Sequence, residues 1–181
     1  MSRTLTRWTV EDYHQIIANG VLAGRQVELI NGQILDMAPE PPIQRATYRR
    51  GAKYLEQLLR DRAVIFSAAP IVLPTDGEPQ PDISVLHAPE TRYDDRHPTP
   101  EDVYWLIEVS NSTLAYDLGE KAKAYALDGI EEYWVVDVKA RQLWIHRVPT
   151  ESGYSSVEIA SAGTLSPLKM PDVAVDVERM F

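Results

Sequence analysis

The stretch Tyr104–Tyr125, YWLIEVSNSTLAYDLGEKAKAY, decides how the rest of the chain is read. Its start belongs to VYWLIEV (103–109), a continuous apolar run of the kind a strand shows when both its faces are covered. A polar turn follows, and then a helix is expected over about 118–127, with Gly129 supplying its stop. YWVVDV (133–138) comes next as another strand, so strand, helix and strand alternate as in an α/β sheet. Glu108 sits near the end of the apolar run. A poorly compensated acid there costs about 2–5 kcal/mol unless it is paired or metal-bound, which marks it as functional.

Working outward, TVEDYHQIIAN (9–19) reads as a short helix with Thr9 as its N-cap, Asp12 three residues on and Gly20 after its end. VELINGQILDM (27–37) signals a hairpin, because Asn31-Gly32 tolerates positive φ at both central positions of a tight turn. Pro39, Pro41 and Pro42 close it. From Ile43 to about Arg62 a helical stripe joins Tyr48, Ala52, Leu55 and Leu59. AVIFSA (63–68), PIVLP (70–74) and DISVL (82–86) read as short strands, and 88–101, rich in Pro, Asp and Arg, as a surface loop. YWVVDV and QLWIHRV (142–148) are expected to form a hairpin around Lys139-Ala140. The expectation is one α/β domain over residues 1–181, with a mixed central sheet flanked by helices and an N-terminal hairpin.

The chain has no cysteine, which excludes disulfides, thiolate metal sites and cysteine nucleophiles. It shows neither an apolar leader nor a run long enough to cross a membrane, so a soluble, cytoplasmic protein is the default expectation. A net charge of −9 argues against a generic nucleic-acid binder, though not against a nuclease whose acids bind metal. His14, His87, His97 and His146 are scattered without ligand spacing for zinc. Trp105, Trp134 and Trp144 lie in strands and read as core.

Asp82 follows Pro81 at the start of one strand, and Glu108 lies near the end of another. Two such acids can converge on one hard cation, with the Val109 carbonyl as a third oxygen. The ion would polarise a phosphodiester and lower the pKa of a bound water, while a nearby ammonium steadies developing charge. Lys121 is the ammonium best placed to reach back over the strand ends. It lies beside the core-facing side marked by Leu118, Ala122 and Tyr125, whereas Lys123 falls about 200° further round the helix. The competing reading makes Lys121 a surface partner of Asp117, four residues earlier. Pro171-Asp172-Val173 copies the Pro-Asp pair without a downstream acid and lysine, so Asp82 gains its weight from Glu108.

Pro81-Asp82, Glu108-Val109 and the downstream lysine resemble the PD-(D/E)XK nuclease superfamily, of restriction-endonuclease-like fold. The "VELINGQI", "QPDISV" and "IEVSNST…DLGEKAKAYALDGIEEYWVVD" segments are similar to a large bacterial restriction-endonuclease group, over roughly residues 27–138. The resemblance implies a Mg²⁺-dependent endonuclease (with Mn²⁺ as substitute) that hydrolyses DNA phosphodiester bonds. Asp82 and Glu108 would be metal ligands, Lys121 the catalytic lysine and Glu28 an additional acid near the metal. It also implies that the lysine has moved onto the following helix, since Ser110 stands where the motif expects Lys. Gln44 stands where many relatives carry histidine. Arg45, Arg49 and Lys53, with Arg50 close by, form the basic stripe best suited to DNA phosphates. A homodimer is expected, because two sites cut both strands of a duplex. The alternative is a catalytically silent nuclease-fold module that binds DNA or protein. A hydrolase for another substrate comes third, since fold does not fix function.

Overall fold

The computed structural model describes residues 5–181. Helix α1 (Val10–Ala18) opens with the expected Thr9/Asp12 capping box. Strands β1 (Val27–Ile30) and β2 (Gln33–Asp36) form an antiparallel hairpin, with Asn31 at φ 48° and Gly32 at φ 69°. Only glycine suits position 32: its φ is left-handed, and a Cβ there would lie 2.8 Å from the Arg7 Cβ. Helix α2 (Pro42–Leu59) starts on a proline whose fixed φ suits the first turn. It buries Tyr48, Ala52, Leu55 and Leu59, the stripe the periodicity picks out.

The central sheet has six strands in the order β3 (Ala63–Ser67), β4 (Ile83–His87), β5 (Val103–Ser110), β6 (Glu132–Asp137), β7 (Gln142–Thr150), β8 (Gly153–Ala160). Only β5–β6 is a parallel pair, so the sheet is mixed. The β5–β6 crossover consists of α3 (Leu114–Tyr116), a π-helical turn at Asp117–Lys121 and α4 (Ala122–Leu127). Side chains alternate along β5, as the pleat requires. Trp105, Ile107 and Val109 pack in one core with α2 residues, and Leu106 joins Ala122, Tyr125 and Tyr133 in the other. By that alternation Glu108 and Ser110 project toward the α3–α4 side.

Two local expectations are corrected. PIVLP is not a strand of the sheet: Ile71 and Leu73 are buried, but Leu73 forms only an isolated bridge to Gly77. Pro70 and Pro74 offer no N–H to a ladder. The crossover helix begins at Leu114, ahead of the expected start near 118, and is interrupted by the π turn. The tail adds β8 and a small β9 (Thr164–Leu165)/β10 (Val175–Asp176) pair that the sequence left unassigned. Among the described residues no helix is long and apolar enough to cross a membrane.

Candidate active site

Four chain segments bring their polar side chains to one cavity of about 370 Å³, lined by Glu28, Gln80, Asp82, Glu108, Asp117 and Lys121 among others. Glu28 arrives because β1 alternates. Val27 and Leu29 pack with Tyr13, which turns Glu28 the other way. The hairpin is docked through Leu29, which exchanges backbone hydrogen bonds with Glu78 (2.7 and 3.4 Å). Asp82 stands just ahead of β4, at the end of the segment Glu78-Pro79-Gln80-Pro81. The Val109 N–H donates to its Oδ2 at 2.7 Å. Because both backbone groups of a strand residue project toward the same neighbour, the Val109 carbonyl faces the Asp82 side as well.

Lys121 is buried, and its Nζ lies 2.9 Å from Glu108 Oε1 and 3.3 Å from Glu28 Oε2. The surface pairing with Asp117 does not form, and Lys123 is exposed. Tyr125, marked in the sequence only as core, donates its hydroxyl to Glu108 Oε1 at 2.9 Å. Asp117 is buried too, held by the hydroxyls of Ser110 and Thr113. The π turn carries Asp117 at its start and Lys121 at its end, and such insertions recur at functional sites. The Tyr116 hydroxyl, also on this cavity, is buried with no partner among the described residues.

Electrostatically the cavity is unbalanced. Glu28, Asp82, Glu108 and Asp117 line it against the single ammonium of Lys121, while Asp36 on the same wall is paired with Arg25. Desolvation raises Asp82 to about 7, against the pull of the Val109 N–H and Lys121. Burial likewise holds Glu108 well above the usual carboxylate range, with the neighbouring acids adding to it. Desolvation alone would lower Lys121, but the charges of Glu108 and Glu28 outweigh it and hold the lysine above its ordinary value. Burial thus dominates at Asp82 and Glu108, whereas the neighbouring acids dominate at Lys121.

That surplus fits a hard cation. Among the described residues, Asp82 Oδ1 and Glu108 Oε2 have no hydrogen-bond donor. Two carboxylates and a strand-end carbonyl form an oxygen set of the type Mg²⁺ accepts while keeping several waters. Among the described residues no group of three or more His, Asp or Glu is arranged around one ion, so the candidate set is that pair with Val109.

A wider groove of about 1050 Å³ adjoins this cavity and shares Gln44, Gln80 and Asp82 with it. His14 lies in the groove, 2.5 Å from the buried Glu78, and is therefore not a bystander in the fold. Arg45 lines the groove with its Nε 2.8 Å from Glu40, and Arg49 and Lys53 continue the exposed stripe beside it. Arg50 departs from that face and donates to Thr47. Asp172, from the second Pro-Asp pair, forms a surface ion pair with Arg62, remote from the cavity.

Among curated proteins, none matches the chain. In solved structures the chain is similar to a protein from Anabaena variabilis ATCC 29413 titled a "putative nuclease belonging to DUF820". The TM-score is 0.70 with 15% identity, covering 96% of this chain and 97% of that one. At that identity the likeness establishes the fold alone: a six-stranded mixed sheet flanked by helices. Residues 10–178 match the Uma2 family, described as "Putative restriction endonuclease". The match takes in the hairpin, the strand after Pro81 and the crossover helix alike and is consistent with a PD-(D/E)XK restriction-endonuclease-like superfamily; the chain belongs to the Uma2 family.

Proposed function

We propose that this protein is a Mg²⁺-dependent endonuclease hydrolysing DNA phosphodiester bonds, with Mn²⁺ able to replace Mg²⁺. The observation that carries the reading is the cavity in which Glu108 and Glu28 flank Lys121 and Asp82 lines the same wall, with more acid than the protein itself neutralises. Asp82, Glu108 and the Val109 carbonyl would hold the ion. When bound, it supplies Lewis acidity and a water acidified toward hydroxide.

The chain's own residues supply the rest. Lys121, itself buried, presents a fixed positive charge to the phosphate as negative charge grows on its oxygens. Glu28 and Glu108 hold that ammonium from two sides, and Tyr125 fixes Glu108 in turn. Gln44, at the junction of cavity and groove, offers an amide to the phosphate backbone. Arg49 and Lys53, which have no acidic partner among the described residues, bind flanking phosphates with Arg45.

The test is cleavage of plasmid DNA with Mg²⁺ or Mn²⁺ by the wild type, Asp82→Ala and Glu108→Ala. Loss of cutting in both variants is expected, and equal activity in all three ends the reading. Calorimetry with Mn²⁺ separates the alternative: absence of binding that depends on Asp82 and Glu108 leaves a catalytically silent binding module.

A further inference from the structure

Resting on that reading, we infer that Asp117 is a further active-site group, whose Oδ1 accepts a hydrogen bond from the water that attacks the phosphodiester and aims it. From spacing alone Asp117 is an ordinary helix acid, four residues before Lys121. In the fold it is 5% exposed and lines the same cavity as Asp82, Glu108 and Lys121. Its Oδ2 receives two hydroxyls, Ser110 Oγ and Thr113 Oγ1, both at 2.6 Å. Its main-chain carbonyl receives the Tyr133 hydroxyl at 3.0 Å. The carboxylate is thus fixed in position through one oxygen and its backbone. The other oxygen, Oδ1, has no donor among the described residues.

Asp137 also takes both its donors on one oxygen, at a turn away from the cavity, so what sets Asp117 apart is that it is a buried carboxylate lining the cavity of Asp82, Glu108 and Lys121. Asp117 is thus a fixed acceptor on the wall of the cavity that holds the lysine and the two proposed metal ligands. Ser110 explains how the arrangement arose from the strand. It lies two residues past Glu108 on the same face of β5, where the superfamily motif has its lysine, and its hydroxyl now holds Asp117. In the step proposed, the water oxygen bonds to phosphorus while the bond to the departing sugar oxygen breaks and takes its electron pair. The proton lost by the water passes to Asp117 and, through solvent, to the departing oxygen.

The experiment compares wild type, Asp117→Asn and Ser110→Ala in steady-state DNA cleavage, Mn²⁺ calorimetry and thermal melting. Asparagine preserves the shape and still accepts both hydroxyls. It should lower kcat by about 10²–10³-fold, with KM for DNA and Mn²⁺ affinity unchanged. Ser110→Ala should lower kcat by a smaller factor with the same pattern. Asp117→Asn cutting at the wild-type rate overturns the inference, and so does Asp117→Asn losing Mn²⁺ affinity, which would make Asp117 a metal ligand. A wild type that fails to cut removes the underlying reading, and the inference with it, an outcome recognisable before any variant is made.

Discussion

Glu108 and Glu132 are both buried glutamates on neighbouring strands, β5 and β6, yet they do opposite things with their charge. Glu132 is saturated. Its Oε1 receives Arg147 Nε (2.9 Å), Arg147 Nη2 (2.6 Å) and Trp134 Nε1 (3.0 Å), and its Oε2 receives the Leu168 N–H at 2.6 Å. Arg147 also donates to the Ser166 carbonyl, so the cluster ties the tail to the sheet. Glu108 has both its donors, Lys121 and Tyr125, on Oε1, and its Oε2 has none among the described residues. Burial of a carboxylate therefore does not mark a site. What sets Glu108 apart from Glu132 is an oxygen without a protein donor on a residue that lines the cavity, where its desolvation is left uncompensated by the fold.

The pair can be broken apart by the same conservative change. Glu108→Gln should lose cleavage by more than about 10³-fold, with melting temperature unchanged or higher, since an under-compensated charge is removed. Glu132→Gln leaves Arg147 without its anion. It should cost about 3 kcal/mol, a fall in Tm of roughly 6–12 °C for a chain of this length. Its cleavage rate per folded molecule should stay at the wild-type value. Thermal melts and cutting assays below both transitions check this. If Glu132→Gln slows cutting as much as Glu108→Gln, the distinction between tie and site is wrong.

Lys121→Met sharpens the comparison from the cationic side. It should lower kcat by about 10²-fold or more, and Lys121→Arg should not restore it, because a planar guanidinium does not fit a buried point-charge position. The variant also leaves Glu108 and Glu28 without a counter-charge. Its melting temperature should therefore fall further below wild type at pH 8 than at pH 5, where Glu108, held above the usual carboxylate range by burial, keeps its proton.

Much of this site was legible because its chemistry opposes its context. Glu108 stands out as an acid in a strand with apolar neighbours on either side, and Lys121 is separated from Lys123 by where Leu118, Ala122 and Tyr125 point. The hairpin was equally readable, since Asn31-Gly32 admits few other conformations. Asp117 was hidden by helix arithmetic. An acid four residues before a lysine reads as a surface pair, and nothing local announces a π turn or that Ser110, on another element, will draw the carboxylate inward. His14 was passed over for the same reason, its partner Glu78 being distant in sequence. Strand β8 escaped notice because it is a sheet edge whose residues remain largely exposed, which erases the alternation of burial that reveals a strand.

A smaller effect should appear in the pH dependence of the metal-free protein. The Asp82 carboxyl sits at about 7 in the fold, against 3.8 as its ordinary value, and desolvation is the main cause. Between those values the folded state holds the proton more tightly than the unfolded chain. This group's contribution to stability is therefore full below about pH 4 and is lost as pH rises toward 7. Discounted for the partial exposure of the side chain, the loss is on the order of 1–2 kcal/mol. Asp82→Asn should thus match wild type in Tm near pH 4 and exceed it by a few degrees at pH 8, while being inactive. Wild type alone should release protons on binding Mn²⁺ near pH 6, measurable by calorimetry in buffers of different ionisation enthalpy.

The smallest change is expected outside the cavity. Arg49 and Lys53 are exposed and free of acidic partners among the described residues, so replacing either by Ala should leave Tm and kcat untouched. What should move is KM for DNA. Each phosphate contact removed lowers the slope of log affinity against log salt by about 1, so the deficit should be visible at low salt and shrink as salt rises. That pattern differs in kind from the site variants, because screening reaches an exposed cation and not a desolvated one. A salt-independent loss at Arg49 would place it in the chemistry and extend the cavity's logic onto α2. A loss that vanishes with added salt keeps the α2 stripe in the phosphate-binding role proposed for it, outside the chemistry of the carboxylates.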